Sequence, residues 1–340
     1  MGTTPTQANR AMITLQTRLR HWPWRCRRGA IAAALPPVRI LAVCSLLFGA
    51  PFAAAEDPSS PPTAASIRIG IGPGTWHGIN PNDAQAAMTA WARTILEQRQ
   101  IAVGVDAQLF ETTEAMRNAL RSGQIDAVTM LADQFLSMDP ELQPDEIFVA
   151  RQSHSFTERY AVVVHQAGGI TNVGALSGRA MVLQTGARTC LGSPWLDTLL
   201  AQERLGPAEK VLKTLTRVDS PSKAVLQVFF HQADACLVTS NVFDTACELN
   251  PQLRKELRVL AVSPEVVSAM FFFRRGYVSS ARDRLEPAIL KLHETPAGLQ
   301  VLTVFQSDGM VKQPLTCLEG SRHWLAEYDR ARMQLGGGKE

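Results

Sequence analysis

The chain has 340 residues, 46% hydrophobic and 19% charged, with a formal net charge of +3 at pH 7. Seven arginines (Arg10, Arg18, Arg20, Arg25, Arg27, Arg28 and Arg39) fall in the first 55 residues, which hold no acid, and without them 27 basic residues face 31 acidic ones, near net −4. A nucleic-acid partner therefore loses its main support, and the 285 residues after the leader suffice for one large or two medium lobes, each with its own core.

The arginines lead into the apolar run Ile40–Phe48, then Pro51 and the small triplet Ala53-Ala54-Ala55. This order predicts a secretory signal cut after Ala55 and hence an exported, periplasmic protein with no lipid anchor. Met12 as an alternative start and Arg27-Arg28 as a twin-arginine pair stay open. No later segment approaches the about 20 apolar residues of a membrane span. Residues 56–65, with Pro58, Pro61 and Pro62 among serines and alanines, read as a flexible linker.

The fold is expected to begin at Ile67. Ile67, Ile69 and Ile71 alternate as a strand, and Ala84, Ala87, Met88, Trp91 and Ile95 recur at helical spacing. A second strand is predicted over Ile101–Leu109, a helix capped by Thr112 or Thr113 and ended by Gly123, and a third strand over Ile125–Met130. A later block repeats this grammar. It has strands at Ala180–Leu183, Val211–Leu215 and Asp234–Val238, and helix starts at Ser193-Pro194 and Ser220-Pro221.

Strands alternating with helices indicate an α/β class with parallel sheets covered on both faces. The extended apolar segments Tyr160–His165 and Ala269–Phe273 read as crossovers between lobes. The expected division is 66–160 for the first lobe, 161–268 for the second and 269–334 for a return to the first. That return includes the helix around Trp324, and 335–340 are expected to be a disordered tail.

Few residues point to chemistry. Gly70, Gly72 and Gly74 follow a strand, but Pro73 removes a donor and the spacing is wrong for a dinucleotide loop, so a ligand-facing loop is the reading. No Gly-x-Ser-x-Gly elbow occurs, and the histidines show no metal-binding or catalytic spacing. No catalytic residue, metal or cofactor is implied. Cys190, Cys236, Cys247 and Cys317 are expected to be disulfides or buried thiols, with the pairing open. The loop Thr185–Pro194 joins a strand to a helix start with hydroxyls, glycines and one arginine, a composition that turns N–H groups and the helix dipole toward a small anion. Ser193 reads as the helix cap, with ligand contact open, and Arg188 as the charged anchor.

Four passages, taken in order, resemble the phosphonate-binding-protein-like branch of type 2 periplasmic binding proteins over roughly Ile67 to Leu325. They are Ile67-Arg68-Ile69-Gly70-Ile71; Ala119–Ala127, with its Gly123-Gln124-Ile125-Asp126-Ala127; Tyr160–Val164 followed by Gly169-Ile170 and Leu176-Ser177-Gly178-Arg179; and Gln232–Val238 followed by Asn250-Pro251 and Leu257–Ala261. The resemblance implies a two-lobed fold with the ligand between lobes joined by two extended crossovers, at the carboxyl ends of parallel strands, buried by hinge closure.

Carried over by position, the resemblance puts first-lobe contacts at Thr75, Trp76, His77, Thr112, Thr113 and the turn from Met130 to Asp133. Tyr160 and, in the second lobe, Thr185, Arg188, Thr189, Cys190, Ser193, Thr239, Ser240 and Asn241 complete the set. Arg188 and Cys190 stand in a loop that is denser in serine and threonine elsewhere in the family, and Thr239-Ser240-Asn241 offers no carboxylate. The expected function is delivery of a small, anionic ligand (a phosphate- or phosphonate-like oxyanion or an organic acid) to the membrane permease of an ABC importer, by a monomer that is not an enzyme. A sensory receptor docking on a membrane kinase, and less so an exported hydrolase or transferase, are the alternatives.

Overall fold

The computed structural model describes residues 66–75, isolated positions between 80 and 97, and residues 104–152, 155–304 and 307–336. The expected signal peptide and linker lie outside the described residues.

The first strand, β1 (Ser66–Ile71), buries Ile67 and Ile71 completely and pairs in parallel with β2 (Gly104–Leu109). Helix α1 (Thr113–Arg121) starts where Thr112 accepts a hydrogen bond from the Ala115 amide, and it buries Met116, Ala119 and Leu120. It ends before Gly123, whose φ of +68° only a residue without Cβ adopts freely. β3 (Ala127–Leu131) then runs parallel to β1 and continues directly into the short α2 (Ala132–Leu136). β4 (Glu146–Arg151) completes this half.

The second lobe opens with β5 (Tyr160–His165), buried at every position. It continues through β6 (Ala180–Gln184), α3 (Gly192–Gln202), α4 (Ala208–Val211), β7 (Thr214–Val218), α5 (Pro221–Phe229), β8 (Ala235–Thr239), α6 (Ser240–Leu249), α7 (Pro251–Glu256) and β9 (Leu257–Val262). Two predicted boundaries move. The strand expected over Val211–Leu215 starts at Thr214, because Asp197 Oδ1 takes the Ala208 amide at 2.8 Å and draws the residues after Pro207 into α4. Ser193 is not the cap of α3. A 3-10 turn over Ala187–Thr189 feeds the chain into helical geometry early, and Leu191 holds the cap position with no side-chain bond. Ser220, by contrast, caps α5 as read, accepting from the Lys223 amide ahead of Pro221.

The chain returns through β10 (Ala269–Phe273), α8 (Ser280–Leu290), α9 (Pro296–Val304), β11 (Gly309–Pro314) and α10 (Glu319–Gly336). The first sheet has the order β11-β4-β10-β3-β1-β2 and the second β7-β6-β8-β5-β9. In each, parallel strands are joined by antiparallel ones: β10 to β3 and β4, and β5 to β8 and β9.

Tyr160–His165 and Ala269–Phe273 are therefore sheet strands, and the crossovers proper are the segments before them. Those segments pair with each other at Glu158 and Val266, through two hydrogen bonds of 2.7 and 2.8 Å. The last helix departs from the expected return. α10 lies along α3 of the second lobe, while Arg322 donates to Gln143 of the first at 2.6 Å, so it straps the two together and runs to Gly336. Among the described residues no helix is long and apolar enough to cross a membrane.

Candidate functional site

The carboxyl ends of the parallel strands in both sheets carry the loops that the sequence singled out. After β1 the chain turns sharply: the Gly72 amide donates to Thr129 O at 2.8 Å, and Gln134 Nε2 donates to Pro73 O at 2.5 Å. A Cβ on Gly72 would stand 2.9 Å from Gln134 Oε1 and 3.0 Å from Thr129 O, and Gly74 has a φ of +81°. The glycine run thus serves a tight turn tied to α2. Thr75 ends this turn, donating to Gly72 O at 2.6 Å.

Opposite it, the loop after β6 is clasped to the crossover. Ser268 Oγ donates to the Arg188 carbonyl at 3.2 Å, and the Cys190 thiol donates to the Ser268 carbonyl, also at 3.2 Å. The same carbonyl accepts the Ala132 amide at 2.9 Å, so one residue joins the start of α2 in the first lobe to the loop of the second. Burial pushes the Cys190 thiol up to about 12, with the nearby Asp133 adding to the rise. Tyr160 lies close by, its phenol raised well above the ordinary value by burial and then by Cys190.

The Arg188 guanidinium forms an ion pair with Glu158 of the first crossover. The pair is sheltered, at 26% and 12% side-chain exposure. Glu158 was not foreseen; the only sequence signal was a Glu158-Arg159 step immediately before a wholly apolar strand. Ser268 was also missed, while Asp133 was reached as the end of the Met130–Asp133 turn. Asp133 sits in the first turn of α2 with part of its surface in solvent, and loss of hydration on its inner side raises its carboxyl pKa against the opposing Gln134 and Asp133 amides.

Arg188, Glu158, Ser268 and Thr75 line one cavity of about 240 Å³, together with Thr129 and Ser155. Its remaining wall is mostly apolar and, apart from Ala187 and Phe156, belongs to the first lobe. Buried polar atoms with no hydrogen-bond partner stand at the same strand ends: Ser240 Oγ and Gln184 Oε1. Such atoms are uncommon in folded proteins and retain capacity for a ligand or a water.

Other expected contacts are occupied. Thr112 and Thr239 cap α1 and α6. Thr185 donates to Val218 O and Thr189 to Gly186 O. Met130 is fully buried and packs in the core, not in the cleft. Asn241 is exposed, and Thr113 and Ser193 are half-buried on the first turns of their helices. Trp76 and His77 lie outside the described residues. The four cysteines of the described region are free thiols, so none forms a disulfide. Among the described residues no group of three His, Cys, Asp or Glu could hold a metal ion.

A family profile described as the periplasmic substrate-binding protein of phosphonate ABC transporters matches residues 77–314. No curated protein matches the chain. Among solved structures, a Xanthomonas citri protein bound to ATP is similar at 15% identity and a TM-score of 0.56, covering 79% of this chain and 98% of its own. The binding-protein component of a phosphonate ABC transporter from Pseudomonas aeruginosa shares 12% identity at a TM-score of 0.53, over 82% and 91% of the two chains. PhnD1 of Prochlorococcus marinus, solved with methylphosphonate, shares 14% at 0.51, over 78% and 99%. At these identities the structures show the fold, a type 2 periplasmic binding protein.

Proposed function

Because the chain belongs to the periplasmic substrate-binding proteins of phosphonate ABC transporters, we propose that it captures a small organic anion between its lobes and delivers it to an importer's permease. Family membership favours delivery to a permease over docking on a kinase. The observation that supports an anionic ligand is the Arg188–Glu158 pair at the rim of the cavity, beside Thr75 and Ser268.

A sheltered arginine is costly to leave without a counter-charge. Glu158 supplies that charge in this structure, and an incoming oxyanion replaces it one for one, so the guanidinium never stands alone. The carboxylate it displaces is on the crossover, and a charge change there couples ligand arrival to the hinge. Ser240 Oγ, without a partner, is available to complete the contacts.

Calorimetry with methylphosphonate and inorganic phosphate tests this reading. A charge-assisted hydrogen bond contributes about 1.5–3 kcal/mol, so Arg188→Ala is expected to weaken binding by roughly ten- to a hundredfold. Arg188→Lys recovers only part, since lysine keeps the charge and loses the planar fork. Glu158→Gln removes the internal competitor and tightens binding. Unchanged affinity in Arg188→Ala sinks the assignment.

A further inference from the structure

The cavity behind the Arg188–Glu158 pair is larger than an inorganic oxyanion needs, and its chemistry is wrong for one. Ile67, Phe271 and Met310 face it from the first sheet, and Leu285 and Leu302 from the helices that cover it. Among the described residues that line it, the polar ones are Thr75, Thr129, Ser155, Glu158, Arg188, Ser268 and Ser307, and of these Glu158 and Arg188 are charged. The deep wall is formed by residues of the first lobe's apolar clusters, including Ile67, Phe148, Leu285, Ala288 and Leu302. A charged group moved past the rim would lose its hydration to a lining that is mostly apolar. A hydrocarbon would lose nothing, and apolar cavities of about 150 Å³ are known to stay dry and to take up small apolar molecules.

We propose that this chamber is a subsite for the apolar body of the ligand, so that the cargo is an organic acid with a medium-length alkyl or an aryl group, its head at Arg188 and its tail within the first lobe. This rests on the reading of the protein as an anion receptor and narrows its substrate class. The head exchanges with Glu158 at the rim, and the tail fills space that the chain leaves between its sheet and the cover of α8 and α9. Specificity then divides between two places. The rim selects for an acid, and the chamber selects for length.

The test is calorimetry on the purified protein with inorganic phosphate and with methyl-, butyl-, hexyl- and phenylphosphonate. Each methylene that enters the chamber is expected to tighten binding about three- to fourfold, and the heat-capacity change should grow more negative along the series. Ala288→Phe, which fills the chamber from α8, should collapse the ratio of hexyl to methyl affinity toward one. Ala269→Leu fills it from the sheet and gives the same reading if Ala288→Phe does not fold. Equal affinity for methyl- and hexylphosphonate overturns the chamber while leaving the anion receptor intact, as does a ratio unchanged in both filled variants. Failure of phosphate and every phosphonate to bind overturns the anion receptor, and the chamber proposal falls with it.

Discussion

In the first lobe α1 ends on Gly123 and the chain passes through Gln124, Ile125 and Asp126 into β3; in the second, α5 ends ahead of His231 and passes through Gln232, Ala233 and Asp234 into β8. The backbone of the two corners is the same. Gly123 and His231 donate to the carbonyls of Leu120 and Val228, three residues back, and Gln124 and Gln232 to those of Ala119 and Gln227, five residues back. Both residues at the turn are left-handed, at φ +68° and +55°. The aspartate amide then donates to Arg68 O in one lobe and to Ala180 O in the other.

The corners differ in what surrounds the aspartate. Asp126 is sheltered, at 4% side-chain exposure, and takes the Arg68 guanidinium at 2.9 and 2.7 Å and the Arg68 amide at 3.0 Å. Asp234 is 37% exposed, accepts the Ala180 amide at 2.8 Å, and has Arg179 only at 3.7 Å. One sequence pattern thus produces a strut in one lobe and a solvated pair in the other. Burial, not residue type, sets what the ion pair contributes.

Exchanging or removing parts of the two corners separates these contributions. The largest effect is expected from Asp126→Ala, which leaves Arg68 and its amide without an acceptor and should cost about 1.5–3 kcal/mol in urea unfolding. Asp234→Ala should cost less than about 1 kcal/mol in the same measurement. Equal losses would mean that burial does not distinguish the two. Next comes the turn residue. A Cβ on Gly123 would meet nothing nearer than 3.8 Å, so Gly123→Ala isolates the left-handed penalty, about 1–2 kcal/mol by thermal denaturation.

The reverse change, His231→Gly, should move stability by less than about 1 kcal/mol. Relief of strain is offset by the flexibility of glycine and by loss of the ring contact with His165, whose centroid is 4.1 Å away. The smallest effect is at the second residue of the following strand, Val128 in one lobe and Cys236 in the other. Burial pushes the Cys236 thiol up to about 12, leaving about one part in ten thousand as thiolate at pH 8. Iodoacetamide at that pH should leave Cys236 unmodified in native protein, and Cys236→Val should change stability by less than about 1 kcal/mol. Rapid labelling would show that this corner opens readily.

Much of this was legible before any coordinates. The apolar alternation of Ile67, Ile69 and Ile71, the Thr112 cap, the glycine at 123 and the Ser220-Pro221 start are short-range signals, set by steric and hydrogen-bonding rules acting within a few residues. They sufficed to give two α/β blocks in series; the family came from the resemblance of four longer passages. They failed where neighbours compete for the same few residues. Ser193 lost its cap to a turn that had already begun at Ala187, and Val211 lost its strand to a helix begun by Asp197.

The site was only half visible, since strand-end loops can be read from the order of elements while their partners cannot. Arg188 was a candidate from its loop alone, but the charge it meets, Glu158, lies 30 residues away on a crossover. Met130 and Asp133 stand three residues apart in one turn, yet one is core and the other reaches solvent.

The sequence by itself determined the periodicity, the caps and the class of fold, because each depends on contacts within a turn or a strand. Only the tertiary structure decided that Arg188 is paired, that α10 straps the lobes instead of returning to one, and that an apolar chamber opens behind the rim. Those are properties of how distant segments share space. A side chain's net charge, burial and free volume are fixed by neighbours that local patterning does not name.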